Sequence, residues 1–457
     1  MKKILVANRG EIARRIFRSC RQRGLATVAV YSEADAGAAH VAEADEAVLL
    51  GPAAARESYL KGEAIIAAAL RCGADALHPG YGFLAENADF AAAVIAAGLT
   101  WIGPAPQTIR AMGDKQRARE IAQAAGVPVV PGSARFDSTA EGWQQAADAV
   151  GYPLLVKAAA GGGGIGMRRV DAAEGLAAVV AATRSMAARA FGDGTIYFER
   201  FVPTARHVEV QVFGFGDDRA VHLFERDCSL QRRFQKVIEE SPAPGLPAAV
   251  RHAMADAAVR LCAATRYAGA GTVEFIFDVE KETFFFLEMN TRIQVEHPVT
   301  EMVTGRDLVG LQLDLAAGTL APFGQESVAT SGHAIECRLY AEDPARNFLP
   351  SPGTLSTYAE PPVAPGLRVD SAYREGDAIT PFYDPMIAKL VVHGETRDAA
   401  RLRAIEALKA FMVDGPTTNK AFLIACLEDP EFAAGRVDTG FIERRRATLV
   451  PPRPAAA

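Results

Sequence analysis

The sequence predicts an α/β chain of several domains that opens on a doubly wound parallel sheet. Three observations carry that expectation. The chain has 457 residues, more than one simple core organises, so two or three domains are expected. The first 113 residues alternate apolar runs with helical ones, the pattern of parallel strands joined by crossover helices. Residues 287–300 then alternate apolar and polar side chains at the two-residue period of a strand, with a charged face.

In order, residues 4–7 are the first strand, and Gly10 turns the chain into a helix over 11–23. A second strand is expected at 27–31, a third at 74–78 before a turn at 79–82, then helix 90–97 and strand 100–102. The first loop is Asn8-Arg9-Gly10 rather than GxGxxG, so a dinucleotide site is not expected. Residues 114 to about 203 read as a separate unit. Its helix 114–125 ends at Gly126 and is followed by helix 139–149, strand 154–157, a glycine loop at 161–166, strand 167–170, helix 172–189 and strand 195–200. Residues 205 to about 330 are strand-rich. Beyond 333, short strands such as 334–339 and 386–393 alternate with Pro and Gly turns, and helices 397–411 and 417–428 follow. The expected divisions are 1–113, 114–330 with a lid at about 131–203, 331–446, and a flexible tail 447–457, whose last residues, 451–457, have no means of burying themselves. No internal repeat is visible.

The composition, 49% hydrophobic and 23% charged, is that of a soluble globular protein. A net charge of −6 argues against general nucleic-acid binding. Six scattered cysteines, Cys20, Cys72, Cys228, Cys262, Cys337 and Cys426, form no CxxC pair. They read as packing residues in a reducing compartment, so a cytoplasmic location is expected. The apolar part of the N-terminus is too short for a signal peptide, and no run approaches a membrane span.

On the strand expected over 287–296, Glu288, Asn290, Arg292, Gln294 and Glu296 share one face. Leu287, Met289, Thr291, Ile293 and Val295 share the other. Burying charges without partners is costly, so the polar file reads as a metal and anion site rather than a solvated edge. Glu288 and Asn290 are hard oxygen donors suited to Mg²⁺. Arg292 is a planar fork for a small oxyanion, and Glu296 is a candidate base. Glu274 is alone among apolar residues in 271–277, and a hairpin through 278–283 would set it beside Glu288. Pro298 cannot donate to a ladder, so a turn is expected there.

The loop 161–166 holds five glycines in six residues. Met167-Arg168 follows where a P-loop needs Lys-Ser/Thr, and a strand follows where a Rossmann loop opens a helix. Strand, glycine loop, strand is instead a hairpin able to close over phosphates with backbone N–H groups. Lys157 lies on the entering strand as a point charge. Lys115, opening a helix after Met112-Gly113-Asp114, is by itself an ordinary surface lysine. Residues 225–236 gather Arg226, Arg232, Arg233 and Lys236, read as a polar loop that collects small anions. His207 alternates with Glu209 and Gln211 on one strand face.

Together, Lys157 with its glycine flap, Glu274 and the run from Glu288 to Glu301 resemble the ATP-grasp superfamily, and more narrowly the biotin carboxylases. Residues 7–13, 78–84, 112–115, 225–229, 336–338 and 383–384 extend the likeness over nearly the whole chain. The resemblance implies a central ATP-grasp domain with a glycine-flap lid and a C-terminal mixed α/β domain. It also implies the first half-reaction of an acyl-CoA carboxylase, in which ATP with Mg²⁺ or Mn²⁺ drives carboxylation of carrier-bound biotin by bicarbonate. Lys115, Lys157, Gly163, Gly164, His207 and Gln231 would contact ATP, and Glu199 and the backbone through Val202 would hold adenine. Glu274, Glu288 and Asn290 would bind the metal ions that bridge the phosphates. Lys236, Arg292 and Val295 would hold bicarbonate, and Glu296 would take its proton. Carboxyphosphate would form and collapse, and Arg338 would stabilise the enolate-like oxygen of biotin. The flap would then serve as a lid that keeps water from the intermediate.

Two positions depart from the family. Phe234 stands where a histidine contacts the nucleotide, and Ile165 where a basic residue is common. Weaker ATP binding with the chemistry retained is the expectation. No Met-Lys-Met is present, so biotin is expected on a carrier protein or domain outside this sequence. A carboxyltransferase and a second copy of the chain are the other partners the family implies. The alternatives are another bicarbonate-phosphorylating ATP-grasp ligase, such as a carbamoyl-phosphate synthetase half, or a catalytically weak subunit. The first would need a duplicated half. Against the second, Glu274, Glu288, Asn290, Arg292, Glu296 and Arg338 are all present.

Overall fold

A computed structural model describes residues 1–137, 141–159, 166–232 and 235–450. In the N-terminal part, five parallel strands lie in the order Glu46–Gly51, Ala26–Ser32, Lys3–Val6, Ala76–His78 and Thr100–Trp101. The first strand is central and apolar on both faces because both are covered. Ile4 and Val6 pack with Ile12, Ile16 and Phe17 of the helix Gly10–Gln22, while Leu5 packs with Tyr59, Ile65 and Leu77. The edge strand Glu46–Gly51 and the alanine-rich helix Gly62–Arg71 escaped the sequence pattern. The strand is half exposed, and the helix lacks a strong apolar stripe.

The unit at 131–203 holds a three-stranded antiparallel sheet of Met167–Val170, Leu154–Ala158 and Ile196–Arg200. Helices Trp143–Val150 and Leu176–Phe191 pack on it. Phe136, Leu154, Val156, Leu176, Ile196 and Phe198 give it a core of its own.

The rest of the chain is built on one eight-stranded antiparallel sheet. Its order is Thr283–Asn290, Ala268–Asp278, Ala205–Phe215, Ala220–Arg232, Gln235–Ser241, His333–Tyr340, Met386–Gly394 and Leu367–Ser371. The pairing of Gln235–Ser241 with His333–Tyr340 carries the sheet across the division expected at residue 330. One face is apolar: Val208, Val210, Val212, Val273 and Phe275 pack under helices Lys115–Ala124 and Ala248–Ala264. Further along, Ile335, Cys337, Leu390 and Val392 pack under helices Arg397–Ala410 and Lys420–Glu428. A helix not foreseen, Phe441–Leu449, adds to that core and takes in residues 447–449, expected in the flexible tail; Leu449 is buried because it packs in this core.

Two expectations are corrected. Residues 225–232 and 235–236 are not a loop but parts of two sheet strands. Arg226 is fully buried, bound to Glu209 at 2.6 Å and Gln211 at 2.7 Å, and Arg232 pairs with Glu342. These arginines answer carboxylates from distant segments, which local composition cannot reveal. The strand through 287–296 stops at Asn290. Glu296 is instead the N-cap of helix His297–Thr304, with Pro298 in its first turn, where a missing N–H costs nothing. All six cysteines are free and five are buried. No helix among the described residues is long and apolar enough to cross a membrane.

Candidate active site

A cavity of about 700 Å³ lies over the polar face of the large sheet. Arg9, Glu11 and Tyr81 wall it from the N-terminal part, and Tyr340, Tyr383 and Asp384 from the C-terminal part. Its floor follows from strand register. Glu274 pairs with Glu288 and Thr272 with Asn290, and Glu274 also pairs with Glu209 on its other side. The hairpin expected through 278–283 thus brings the two carboxylates together.

A bulge makes that placement possible. Phe275 pairs with Phe286 and Glu274 with Glu288, so Leu287 is the extra residue. Strict alternation would have put Glu288 on the core face with Phe284 and Phe286. The bulge shifts the period, so that Met289 enters the core and Glu288 and Asn290 face the cavity. Leu287, expected on the apolar back, is 40% exposed for this reason.

Charges at the floor are paired closely. Lys236 Nζ meets Glu209 Oε2 at 2.7 Å, Glu274 Oε1 at 3.0 Å and Glu296 Oε1 at 2.6 Å. Burial pushes its pKa down, yet the three carboxylates raise it well above the usual lysine range. Glu296 is fully buried beneath the cavity, its second oxygen 2.9 Å from Arg338 Nη2. Burial opposes its charge, but Lys236, Arg338 and Arg226 hold its carboxyl well below the ordinary range. Arg338 also pairs with Glu239 at 2.5 Å. Glu274 accepts from Asn290 Nδ2 at 2.9 Å and Gln294 Nε2 at 3.1 Å, and lies 2.9 Å from His207 Nε2. Against burial, Lys236 and His207 depress its pKa.

Glu288 behaves differently. Burial and the charge of Glu274 raise its pKa, with Lys115 acting in the opposite sense. The Glu288 side chain has no hydrogen-bond partner among the described residues, although its backbone lies in the ladder opposite Glu274. Two facing carboxylates and the Asn290 amide oxygen form an all-oxygen donor set, the kind a hard divalent cation takes. Arg292 is held open as a fork: Nε donates to Glu86 at 2.8 Å, Nη1 to Gln294 Oε1 and Nη2 to Asn290 Oδ1, each at 2.9 Å.

The structure therefore gathers His207, Lys236, Glu274, Glu288, Asn290, Arg292, Val295 and Arg338 around one cavity, with Glu296 below. Lys115, Lys157, Glu199, Val202 and Gln231 lie outside its lining. Lys157 and Glu199 pair with each other in the small sheet, Lys115 opens a helix capped by Asp114, and Gln231 sits opposite Lys236 in strand register. Gly163, Gly164, Ile165, Phe234 and the tail from 451 fall outside the described residues. Sequence reasoning missed Glu86, Glu239 and Lys389. Each reads locally as an ordinary charged residue, and only the fold shows its partner.

Family models match along the chain: biotin carboxylase, N-terminal domain, over residues 1–109; carbamoyl-phosphate synthase L chain, ATP binding domain, over 114–322; and biotin carboxylase C-terminal domain over 336–444. Biotin carboxylase 1 of Bacillus subtilis is 49% identical over 443 residues, covering 97% of this chain and 98% of that protein. The chain belongs to the biotin carboxylase family. The flanking models separate it from carbamoyl-phosphate synthases, with which it shares the central ATP-grasp domain. The mitochondrial methylcrotonoyl-CoA carboxylase subunit alpha of Oryza sativa is 51% identical over 98% of this chain, which spans 61% of that subunit. Among solved biotin carboxylases, the domain dimer of Hydrogenobacter thermophilus 2-oxoglutarate carboxylase, in complex with MgADP, ADP and bicarbonate, matches with a TM-score of 0.90. It is 43% identical, over 99% of each chain. The Campylobacter jejuni biotin carboxylase–beta-gamma-ATP complex matches with the same TM-score of 0.90, at 44% identity over 97% of this chain and 98% of that one.

Proposed function

We propose that the chain carboxylates biotin with bicarbonate at the expense of ATP, the biotin being presented by a carrier protein or domain. The observation that carries this is the floor of the cavity, where the Arg292 fork, Lys236 and Arg338 converge above Glu296, beside the oxygen pair Glu274 and Glu288. A cationic pocket over a buried carboxylate suits a small anion that must lose a proton. Glu274, Glu288 and Asn290 would hold Mg²⁺, which when bound neutralises phosphate charge during transfer. Lys115, Lys157, His207, Gln231, Glu199, Val202 and the flap glycines Gly163 and Gly164 are assigned to ATP.

Arg292, Lys236 and the Val295 backbone orient bicarbonate. With Lys236 and Arg338 against both its oxygens, Glu296 is a weak base. An anion that draws these cations to its own oxygens frees the carboxylate to accept the bicarbonate proton. The deprotonated oxygen attacks the γ-phosphorus, ADP leaves, and carboxyphosphate breaks down to carbon dioxide and phosphate. The released phosphate takes the proton of the biotin ring N–H, and Arg338 steadies the resulting negative ureido oxygen while that nitrogen attacks carbon dioxide. A homodimer working with a biotin carrier and a carboxyltransferase, as part of an acyl-CoA carboxylase, fits the relatives. Phosphate release from MgATP tests the proposal. Release should need both bicarbonate and biotin; release driven by bicarbonate and indifferent to biotin would overturn it.

A further inference from the structure

Lys389 lies fully buried in the strand Met386–Gly394. A buried ammonium persists only with partners, and these come from three parts of the chain. Its Nζ donates to the Val295 carbonyl at 2.9 Å. It pairs with Glu11 Oε2 at 3.1 Å and lies 4.0 Å from Asp370 Oδ2 on the next strand. Glu11 belongs to the first helix, and its other oxygen accepts from the Tyr81 hydroxyl. Both Glu11 and Tyr81 line the cavity.

Only the contact with Val295 enters the segment between Asn290 and the helix that starts at His297, where no sheet ladder holds the backbone. The Gln294 carbonyl is closed locally, 2.7 Å from His297 Nδ1 and 3.3 Å from its backbone nitrogen. The next carbonyl, that of Val295, is held by Lys389 from across the molecule. This carbonyl belongs to the peptide that joins Val295 to Glu296, so Lys389 sets the orientation of the unit carrying both groups.

We propose that Lys389 is a positioning residue for the bicarbonate step, locking the Val295–Glu296 peptide and, through Glu11, tying that lock to the N-terminal domain. The proposal rests on the function given above. Lys389 is fully buried and does not line the cavity. Its effect should therefore fall on bicarbonate use and spare ATP, whose assigned contacts lie elsewhere.

The test is steady-state kinetics of Lys389→Met and Glu11→Gln with melting temperatures alongside. In Lys389→Met the bicarbonate KM should rise about tenfold or more while the ATP KM stays within about twofold, because small misplacements at reacting groups are costly. Glu11→Gln should shift bicarbonate KM in the same direction by less, and the double variant should be no worse than Lys389→Met, as coupled residues require. An unchanged bicarbonate KM, or equal shifts for both substrates with a lowered melting temperature, would overturn the proposal. If Lys389→Met does not fold, an unchanged bicarbonate KM in Glu11→Gln overturns it alone. Wild-type ATP cleavage indifferent to bicarbonate would overturn the function and this role with it, whereas bicarbonate-dependent wild type with unshifted variants removes only the role of Lys389.

Discussion

Glu296 sits with one oxygen on Lys236 and the other on Arg338. Removing its charge while keeping its shape, as in Glu296→Gln, should lower kcat by about 10²–10⁴-fold, the usual worth of a positioned base, in bicarbonate-dependent phosphate release. Because its folded pKa lies well below the ordinary glutamate range, the ion pairs it makes stabilise the protein above that range. They are lost as pH falls through the depressed value. Glu288→Gln removes one oxygen donor and should raise the Mg²⁺ needed for half-maximal ATP cleavage by about tenfold, read from a Mg²⁺ titration. At this scale the sequence was informative: the polar file at 288–296 named Glu288, Asn290, Arg292 and Glu296 directly. Glu86, Glu239 and Lys389 were invisible because their partners are far away in the chain.

At the scale of strands, the bulge at Leu287 predicts contrasting stabilities. Leu287→Ala should change stability by no more than about 0.5 kcal/mol, as at an ordinary surface position, although alternation marks it as core. Phe286→Ala, one residue away and buried, should cost about 3–5 kcal/mol. Denaturant titrations compare them, and equal losses would refute the shifted period. A second strand-level feature is the Glu239–Glu336 cross-strand pair, both fully buried. Burial, aided by Glu296, pushes Glu239 up to about 7 against Arg338 and Lys236. Burial and Glu239 raise Glu336 well above its usual range. Groups with raised folded pKa values stabilise fully below the unfolded value and lose that contribution as pH rises through the folded one. Glu336→Gln should therefore raise the melting temperature more at pH 8 than at pH 5. The strand pairings were partly legible, since 271–277 and 283–290 read as a hairpin. The bulge left no signal because one extra residue disturbs the period without any marker residue.

Across the whole molecule, ion pairs join parts that sequence order separates. Glu301 binds Arg15 at 2.6 Å and Arg368 at 2.7 Å, and Arg368 also binds Asp370 at 2.5 Å. The first helix, the helix His297–Thr304 and the strand Leu367–Ser371 are thereby tied together. Glu301→Gln leaves buried Arg15 and partly buried Arg368 short of charge and should cost about 3 kcal/mol, seen as a lower melting temperature at pH 7. Burial opposes the Glu301 charge, but Arg15, His297 and Arg368 depress its pKa. The loss should therefore shrink as pH falls below the ordinary carboxylate value. The parallel N-terminal sheet and the small three-stranded sheet within 131–203 were readable from alternation and spacing. The continuous eight-stranded sheet was not, because pairing between residues 235–241 and 333–340 depends on register that no local pattern records. The function proposed for the assembled site is tested most directly by following labelled carbon from bicarbonate into biotin. With MgATP present, label should appear in carboxybiotin and vanish with Glu296→Gln. Bicarbonate-dependent ATP cleavage that leaves biotin unlabelled would contradict it.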